Sequence, residues 1–222
     1  MILLEVPYSQ KDIVKSLGAK WLPEHKKWAA TNKSSYEKFL PWLTKDDIFN
    51  GPYEGDINIA CDNVFIVEGH KKCFKCSNDT RVIGFAYDCM LQIYVDFIDT
   101  GEGSITVSKD FELNIMPPDS NMPNYIIDIA KRHFNYHNSY SKTTRSKYLA
   151  NNCDICNSLQ GDFFLFHEVD SPFFIKDTND AKKLVLHKIP LKFDFVLNGD
   201  LSWNSESHLI RKYAKKSNQI LT

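Results

Sequence analysis

The sequence contains no run of about 18 consecutive apolar residues, the length that a helix needs to span a bilayer. Its first stretch, MILLEVPYSQ, has a short apolar run with no basic residues ahead of it, and so lacks the organisation of a secretory signal. Both absences predict a cytoplasmic protein without membrane contact. In that reducing compartment, six cysteines are not expected to form a disulfide scaffold.

An excess of charge of one sign is also lacking, since 27 basic and 28 acidic residues give a net charge of −1. This balance argues against general binding to polyanions. The charges are nevertheless segregated: residues 51–119 have 12 acidic and 5 basic residues (−7), residues 120–150 have 1 and 5 (+4), and residues 203–222 have 1 and 4 (+3). Two interpretations stay open, a local basic face or mutual neutralisation in the fold.

Glycine and proline are scarce, with nine of each, whereas the chain has 15 Phe, 10 Tyr and 4 Trp. Disordered chains have the opposite composition. The composition therefore predicts a folded protein with one sizeable core, or a modest core and a small additional module.

Common catalytic signatures are missing too. The chain has no GxSxG, GxGxxG or GxxxxGK[ST] motif, so neither a nucleophile elbow nor a phosphate-binding loop is predicted. His133 and His137 have helical i, i+4 spacing but lack the glutamate of HExxH, and we expect surface histidines. In GDFFLFHEVD, strand-like alternation separates Asp162 from His167, so no acid–base pair is expected.

Residues 1–45 are predicted to form a small βαββα module. ILLEVP indicates a strand ended by Pro7, and Ser9 suits the cap of a helix that starts at Gln10 and stops at Gly18. Two short strands around a Pro-Glu turn and a second short helix in SSYEKFLPWL follow. Three tryptophans are expected to fill the core, with base stacking by one of them as the alternative: Trp21, Trp28 and Trp42.

The stretch VPYSQKDIVKSLGAKWLPEHKKWAA resembles the bacterial domain of unknown function DUF5710. The positions that carry the resemblance are Val6, Pro7, Tyr8, Lys11, Asp12, Lys15, Leu17, Gly18, Ala19, Lys20, Trp21, Pro23, Lys27 and Trp28. Val14 stands where the family usually has Ala, and Leu22 where it has Asp. The resemblance implies a bacterial or mobile-element origin and a neighbourhood of nucleic-acid metabolism, because such domains are often fused to primases. It implies no reaction, since the family has no established catalytic residues.

Residues 46–56, DDIFNGPYEGD, are predicted to be a linker to a second domain over residues 57–222. In that domain VFIVEG, RVIGFAYD, MLQIYVDFID, SITVSKDF, GDFFLFHE and KFDFVLNG have the alternation of strands. NYIIDIAKRHF (124–134) predicts a helix, and ESHLIRKYAKKSNQIL predicts a terminal helix with a basic face. The expected fold class is α+β: the small module followed by a mixed α/β domain.

The most informative motif is a CxxC pair that occurs twice, Cys73 with Cys76 in KCFKCS and Cys153 with Cys156 in NCDICN. A thioredoxin-like pair precedes a helix, whereas the first pair here precedes a polar turn and a strand pattern. Two cysteines on a tight turn are typical of half a tetrahedral zinc site, because Zn²⁺ prefers thiolate ligands.

We therefore predict that the four cysteines hold one structural Zn²⁺, which joins the ends of the segment 77–152. The long separation is a small obstacle, since each doubling of a loop costs about 0.6 kcal/mol, whereas zinc–thiolate binding contributes on the order of 10 kcal/mol. Free thiols, a disulfide and a redox pair are the alternatives. SKTTRSKYLANNCDICNSLQGDFFLF also resembles a pattern of uncharacterised bacterial zinc-ribbon proteins, which implies no activity. Cys61 and Cys89 stand in strand patterns and are expected to be buried.

An HNH-like, metal-dependent nuclease is one enzymatic alternative. Such folds often have a CxxC on each side of a histidine-containing metal site, and NNCDICN resembles their second pair. RHFNYHN provides Asn135, His137 and Asn138. HNH sites normally need an Asp-His or His-His pair, and none occurs between residues 77 and 152.

The basic stretch HNSYSKTTRSKYLANN leads into the second CxxC and combines cations with aromatic rings, a mixture that suits phosphate contact and base stacking. The residues are Tyr140, Lys142, Arg145, Lys147 and Tyr148. The alternative is an exposed loop whose charges offset the acidic segment. We expect a non-catalytic, zinc-stabilised binding or adaptor protein acting on nucleic acid or a nucleic-acid-processing enzyme. A protein–protein interaction module or inhibitor is the alternative, and the HNH-like nuclease is the second.

Overall fold

The computed structural model describes residues 1–43, 55–97, 103–110, 112–198 and 206–221, except the side chains of residues 55–56, 95–97 and 103–105. The strands are β1 Ile2–Leu4, β2 Lys20–Leu22, β3 Lys27–Ala30, β4 Gly55–Lys72, β5 Asp79–Phe97, β6 Gly103–Asp110, β7 Tyr136–Ser141, β8 Ser146–Asn152, β9 Leu159–Gln160, β10 Val185–Pro190, β11 Phe195–Val196 and β12 Lys215–Lys216. The α-helices are α1 Lys11–Ser16, α2 Asn124–His133, α3 Thr178–Lys183 and α4 Ser207–Tyr213. Two 3₁₀-helices, Tyr8–Gln10 and Lys33–Trp42, and one π-helix, Phe163–His167, complete the set.

This mixture of helices and strands confirms the predicted α+β class. None of the described helices has the length and apolar character that crossing a membrane requires. The predicted linker lies outside the described residues up to position 54, and its boundaries stay a prediction.

The chain divides into two compact units. Unit 1 consists of Met1–Asp62, Cys89–Asp110 and Leu191–Asn198, and unit 2 of Asn63–Asp88, Phe111–Pro190 and Gly199–Thr222. The long strands β4 and β5 therefore contribute residues to both units. The N-terminal module belongs to unit 1, and both CxxC pairs belong to unit 2.

In unit 1 the three predicted strands of the module are present, and they form an antiparallel sheet in the order β1-β3-β2. Gly18 ends the helical segment with a φ of 97°, a conformation that glycine adopts without strain. The expected cap at Ser9 is wrong, because Ser9 lies inside the 3₁₀ turn and the residue before α1 is Gln10, whose side chain makes no capping bond. The second helix has 3₁₀ geometry and is capped by Asn32, whose side chain accepts the N–H of Ser34 at 3.1 Å.

The core of unit 1 joins the module to apolar residues of β4 and β5. The strand residues in this core are Ile57, Ile59, Cys61, Cys89, Leu91 and Ile93. A module of this size lies near the lower limit for an independent core, and these strands supply the apolar surface that it lacks. Cys61 and Cys89 are buried there as predicted, and burial raises the pKa of the Cys61 thiol, which keeps it neutral.

The three tryptophans of the module differ in burial. Trp42 is buried, Trp28 is half-buried and Trp21 is 48% exposed. The expectation that all three fill the core is therefore wrong for Trp21. The reason is the strand order. Trp28 on the central strand β3 pairs with the buried Leu4 on one side and with Trp21 on the other, and Trp21 lies on the edge strand β2.

In unit 2, β10 pairs antiparallel with β4 from Val185 opposite Glu68 to Pro190 opposite Asn63, and β12 pairs parallel with β10. The helix predicted over residues 124–134 is confirmed as α2. The terminal helix is shorter than predicted, because α4 ends at Tyr213 and the chain continues into β12. The core of this unit contains Phe65, Val67, Val82, Ala86, Leu113, Leu165, Phe173, Ile175, Ala181, Leu184, Leu186, Ile210 and Ala214.

The strand predicted in GDFFLFHE is wrong, because residues 163–167 form a π-helix. Leu165 is fully buried, whereas its neighbour Phe164 is 51% exposed. The ring of Phe166 stacks on that of Phe173 with centroids 5.1 Å apart. Burial raises the pKa of the Asp162 carboxyl to about 6, against the opposing effect of His167.

Gly84 in β5 provides a packing test of unit 2. A Cβ atom at this position would lie 2.5 Å from Cγ2 of Ile115 and 2.9 Å from Cε1 of Phe166. We expect Gly84→Ala to lower the free energy of unfolding by about 1–3 kcal/mol, because both side chains must shift. The measurement is the urea midpoint. Gly161→Ala is the control, since its Cβ would meet nothing closer than 3.5 Å, and equal midpoints for the two variants would refute the predicted crowding.

Candidate metal centre

Each CxxC pair forms the turn of a β-hairpin. The first turn, Cys73–Asn78, connects β4 to its sheet neighbour β5, and the second, Cys153–Ser158, connects β8 to β9. In the second hairpin Asn152 pairs with Leu159. The predicted polar turn after the first pair is therefore confirmed, and neither pair stands at the start of a helix.

The two turns have the same backbone hydrogen bonds. In the first, the N–H of Cys73 donates to the carbonyl of Asn78 and the N–H of Ser77 donates to the carbonyl of Cys73, each at 2.9 Å. In the second turn, the N–H of Cys153 donates to the carbonyl of Ser158 and the N–H of Asn157 donates to the carbonyl of Cys153, again at 2.9 Å. Ser77 and Asn157 have left-handed φ values of 59° and 57°. The backbone therefore presents the two cysteine pairs in matching conformations.

The four sulfur atoms converge to within 4.8 Å of one another. The Sγ atoms of Cys73 and Cys156 lie 3.6 Å apart, and those of Cys76 and Cys153 lie 3.7 Å apart. A tetrahedral ion with metal–sulfur bonds of about 2.3 Å needs sulfur–sulfur separations of about 3.8 Å. The cluster thus has the size and the soft donor set that a Zn²⁺ or iron ion prefers.

Backbone and side-chain donors point at these sulfurs. The backbone N–H of Lys75 donates to Sγ of Cys73 at 3.4 Å. The N–H of Ile155 donates to Sγ of Cys153 at the same distance. The side-chain amide of Gln160 donates to the sulfur of Cys73 at 3.4 Å. Such donors stabilise thiolates, the form that binds metal.

The cysteine thiols of the cluster have pKa values shifted in opposite directions. The hydroxyl and the backbone N–H of Ser158 lower the pKa of Cys156 to about 6. The backbone N–H of Asn78 lowers the pKa of Cys76, but burial and the neighbouring cysteines outweigh it and raise the net value to about 11. A thiolate at one position therefore favours a neutral thiol at the next, and a divalent ion removes this repulsion.

Several polar groups connect the two hairpins outside the sulfur cluster. The carboxylate of Asp154 accepts the backbone N–H of Arg81 at 3.1 Å and its Nε–H at 3.2 Å. The N–H of Asp154 donates to the hydroxyl of Thr80 at 2.9 Å. These contacts were missed from the sequence, since only the folded hairpins bring residues 80 and 154 together.

Asn135 and His137, considered above for a nuclease site, contact the second turn. The amide of Asn135 donates to the carbonyl of Cys153 at 2.8 Å, and Nε2 of His137 lies 3.1 Å from Oδ1 of Asn157. His133 ends α2 and His137 lies in β7, so the two histidines do not share a helix face. Among the described residues, the four cysteines are the single group of three or more potential metal ligands.

The basic stretch that precedes the second pair forms the hairpin β7–β8. Tyr140 pairs with Lys147, so these two side chains share one face, whereas Tyr148 pairs with Ser139 on the other face. Tyr140 is 56% exposed, and burial raises the pKa of the half-buried Tyr148. Two further residues of the predicted set, Lys142 and Arg145, are exposed in the connecting turn. The hairpin thus places Tyr140 and Lys147 on one face and Tyr148 on the other.

Comparison with known proteins identifies the N-terminal module alone. Residues 1–44 match the family described as a domain of unknown function, DUF5710, which confirms the resemblance there. The match covers 44 of the 222 residues and does not include the cysteine cluster. No significant match to the chain was found among curated proteins or solved structures.

Proposed function

We propose that the four cysteines bind one structural zinc ion and that the chain is a non-catalytic binding or adaptor protein. The observation that carries this proposal is the convergence of four sulfurs on two hairpin turns of matching backbone conformation. With all four positions of a tetrahedral ion filled by protein, none is left for water or substrate, which is characteristic of structural zinc.

The ion would hold Cys73, Cys76, Cys153 and Cys156, and its role would be to lock the two hairpins of unit 2 together. Few apolar residues lie in these turns, where Phe74 and Ile155 are 76% and 66% exposed. Packing of the turn residues therefore contributes little, whereas a structural zinc contributes on the order of 10 kcal/mol.

Metal analysis of the purified full chain by plasma mass spectrometry tests the zinc assignment. We expect one zinc per chain and a loss of zinc in Cys76→Ser. Tetrahedral S₄ sites also accept iron, so one iron per chain with the red colour of a ferric thiolate complex would replace zinc in the proposal. A chain with no bound transition metal would refute it.

A second proposed function is binding to nucleic acid, directly or beside a nucleic-acid-processing enzyme, through the β7–β8 hairpin. The exposed ring of Tyr140 lies opposite Lys147, and Lys142 and Arg145 extend the same end of the hairpin. Within the described part of the chain, none of these three cations has an ion-pair partner. Unpaired cations beside an exposed ring suit phosphate contact combined with base stacking.

We expect Lys142→Gln/Lys147→Gln to weaken binding to single-stranded DNA by about tenfold at about 50 mM salt. The slope of the logarithm of the binding constant against the logarithm of the salt concentration should become shallower by the amount that corresponds to about two phosphate contacts. Fluorescence anisotropy measures both effects. The control, Lys182→Gln/Lys216→Gln, removes two exposed lysines elsewhere in the chain. No binding of DNA or RNA by the wild-type chain at this salt would favour a protein–protein interaction module instead. Cleavage of a plasmid with Mg²⁺ or Mn²⁺ would favour the nuclease alternative and refute the non-catalytic role.

A further inference from the structure

The N-terminal module of unit 1 has a cleft that plays no part in the functions proposed above. Its volume is about 360 Å³, within the range of small-molecule sites. The lining combines exposed aromatic rings with lysines, contributed chiefly by Tyr8, Lys11, Trp21, Lys26 and Trp28.

The aromatic wall of the cleft is exposed and held in place. Trp21 is 48% and Tyr8 82% exposed, unusual values for such large rings. Trp21 packs edge to face against Trp28 with ring centroids 5.7 Å apart, and Trp28 lies across the sheet from the buried Leu4. The row from Leu4 through Trp28 thus supports the Trp21 ring, so that a ligand stacking on it has little ordering cost to overcome.

The net charge of the residues that line the cleft is positive. Lys27 is neutralised by an ion pair with Glu5, but within the described residues Lys11 and Lys26 have no acidic hydrogen-bonding partner. The ammonium of Lys11 donates to the hydroxyl of Tyr8 at 2.9 Å, and it lies 4.1 Å from the centre of that ring. Lys26 stands in the turn before β3 with a left-handed φ of 49°, where Asn or Gly is the usual choice. A cation therefore flanks the aromatic wall at two points.

Lysines at the rim exclude a cationic ligand, which an aromatic cleft without them would attract. Isolated phosphate would use the lysines but not the rings, and an uncharged aromatic compound would use the rings but not the lysines. A nucleotide uses both, because its planar base stacks on an aromatic ring while its phosphate pairs with an ammonium group.

We propose that this cleft binds a nucleotide, with the base against Trp21 and the phosphate between Lys11 and Lys26. The nucleotide is either free or part of a single strand, since both offer the same base and phosphate. The site depends neither on the zinc centre nor on the β7–β8 hairpin, whose residues all lie in unit 2.

The test uses the full chain and a fluorescent oligo(dT) of about eight nucleotides, a length within the usual site size of single-strand binders. We expect Trp21→Ala to weaken anisotropy-detected binding by about tenfold. Lys11→Gln and Lys26→Asn should each weaken it by about threefold at about 50 mM salt. Asn suits the backbone at position 26, so that variant removes the charge without a folding cost. Lys20→Gln is the matched control, because Lys20 also lies on β2 but does not line the cleft.

Competitors identify the source of the nucleotide. Displacement of the oligonucleotide by thymidine 5′-monophosphate, but not by thymidine or inorganic phosphate, supports a site for a free nucleotide. No displacement by the monophosphate, together with loss of binding in the Trp21 and Lys26 variants, supports a single strand. Unchanged binding in those variants would overturn the proposal, even if the Lys142→Gln/Lys147→Gln variant loses binding. Equal displacement by inorganic phosphate would overturn it as well, because the rings would then have no role.

Discussion

Replacing Cys153 with serine is expected to unfold the region of unit 2 around the cysteine cluster at room temperature, if that cluster holds the proposed zinc ion. Cys153 is fully buried, and its replacement removes one of the four sulfurs of the proposed metal site. Structural zinc contributes on the order of 10 kcal/mol, which is comparable to the total stability of about 5–15 kcal/mol of a typical domain. Hydrogen exchange should show loss of protection in both hairpin turns and in the strands that flank them.

The matched control for this variant is Cys89→Ala. It removes a buried sulfur of unit 1, whereas the cysteine cluster lies in unit 2. We expect a cost of about 1–2 kcal/mol there, the usual cost of removing a small buried side chain, and no change in metal content. Wild-type protein stripped by a strong chelator should reproduce the behaviour of Cys153→Ser. If Cys153→Ser and Cys89→Ala have the same midpoint of unfolding, the metal does not stabilise unit 2.

Replacing Asp194 with alanine is expected to have the second largest effect, in unit 1. The carboxylate of Asp194 is buried and accepts the hydroxyl of Tyr36 at 2.6 Å and the N–H of Asp62 at 3.2 Å. Burial raises the pKa of Tyr36, whose side chain is fully buried, so its hydroxyl remains a donor in need of an acceptor. We expect Asp194→Ala to cost on the order of 3 kcal/mol, because the buried hydroxyl of Tyr36 and the part-buried N–H of Asp62 lose their acceptor.

A double-mutant cycle with Tyr36→Phe separates the hydrogen bond from packing. Tyr36→Phe alone should cost about 1 kcal/mol, and the double variant should cost less than the sum of the two single changes, since the hydroxyl left unpaired by Asp194→Ala is then absent. Urea unfolding measures all three values. Strict additivity would mean that the Tyr36 hydroxyl gains no stability from Asp194.

The fold was predictable wherever a local pattern decides the structure. Alternating apolar residues predicted strands, and helical spacing predicted α2. The paired cysteines predicted two tight turns, because a CxxC pair with small polar neighbours is a local feature. The position of Gly18 similarly predicted the end of the first helix, since few other residues adopt a φ of 97° without strain.

What could not be predicted depends on residues distant in the chain. The exposure of Trp21 follows from the edge position of β2, which three tryptophans in one short module do not reveal. The run Phe163–His167 has almost no polar residue to establish a period, so a strand and a helical turn look alike. The contact between Asn135 and Cys153 needs the hairpin β7–β8 to be folded first.

The aromatic and basic cleft of the N-terminal module could not be predicted from the sequence either. Tyr8, Lys11, Trp21 and Lys26 were part of the residues that predicted the module, but their side chains meet only when β1, α1 and β2 assemble. The sequence shows the aromatic and basic residues of such a site, but it does not show that their side chains lie close together. The exposed rings themselves are the signal that the structure adds, because large apolar side chains are usually buried.

X-ray absorption at the zinc edge of the purified full chain tests the central claim most directly. Four cysteines around one ion predict a single shell of four sulfur atoms at about 2.3 Å, with no nitrogen or oxygen neighbours. The four Sγ atoms, all within 4.8 Å of one another, have room for this geometry with little movement. A shell containing nitrogen or oxygen, or fewer than four sulfurs, would contradict the account.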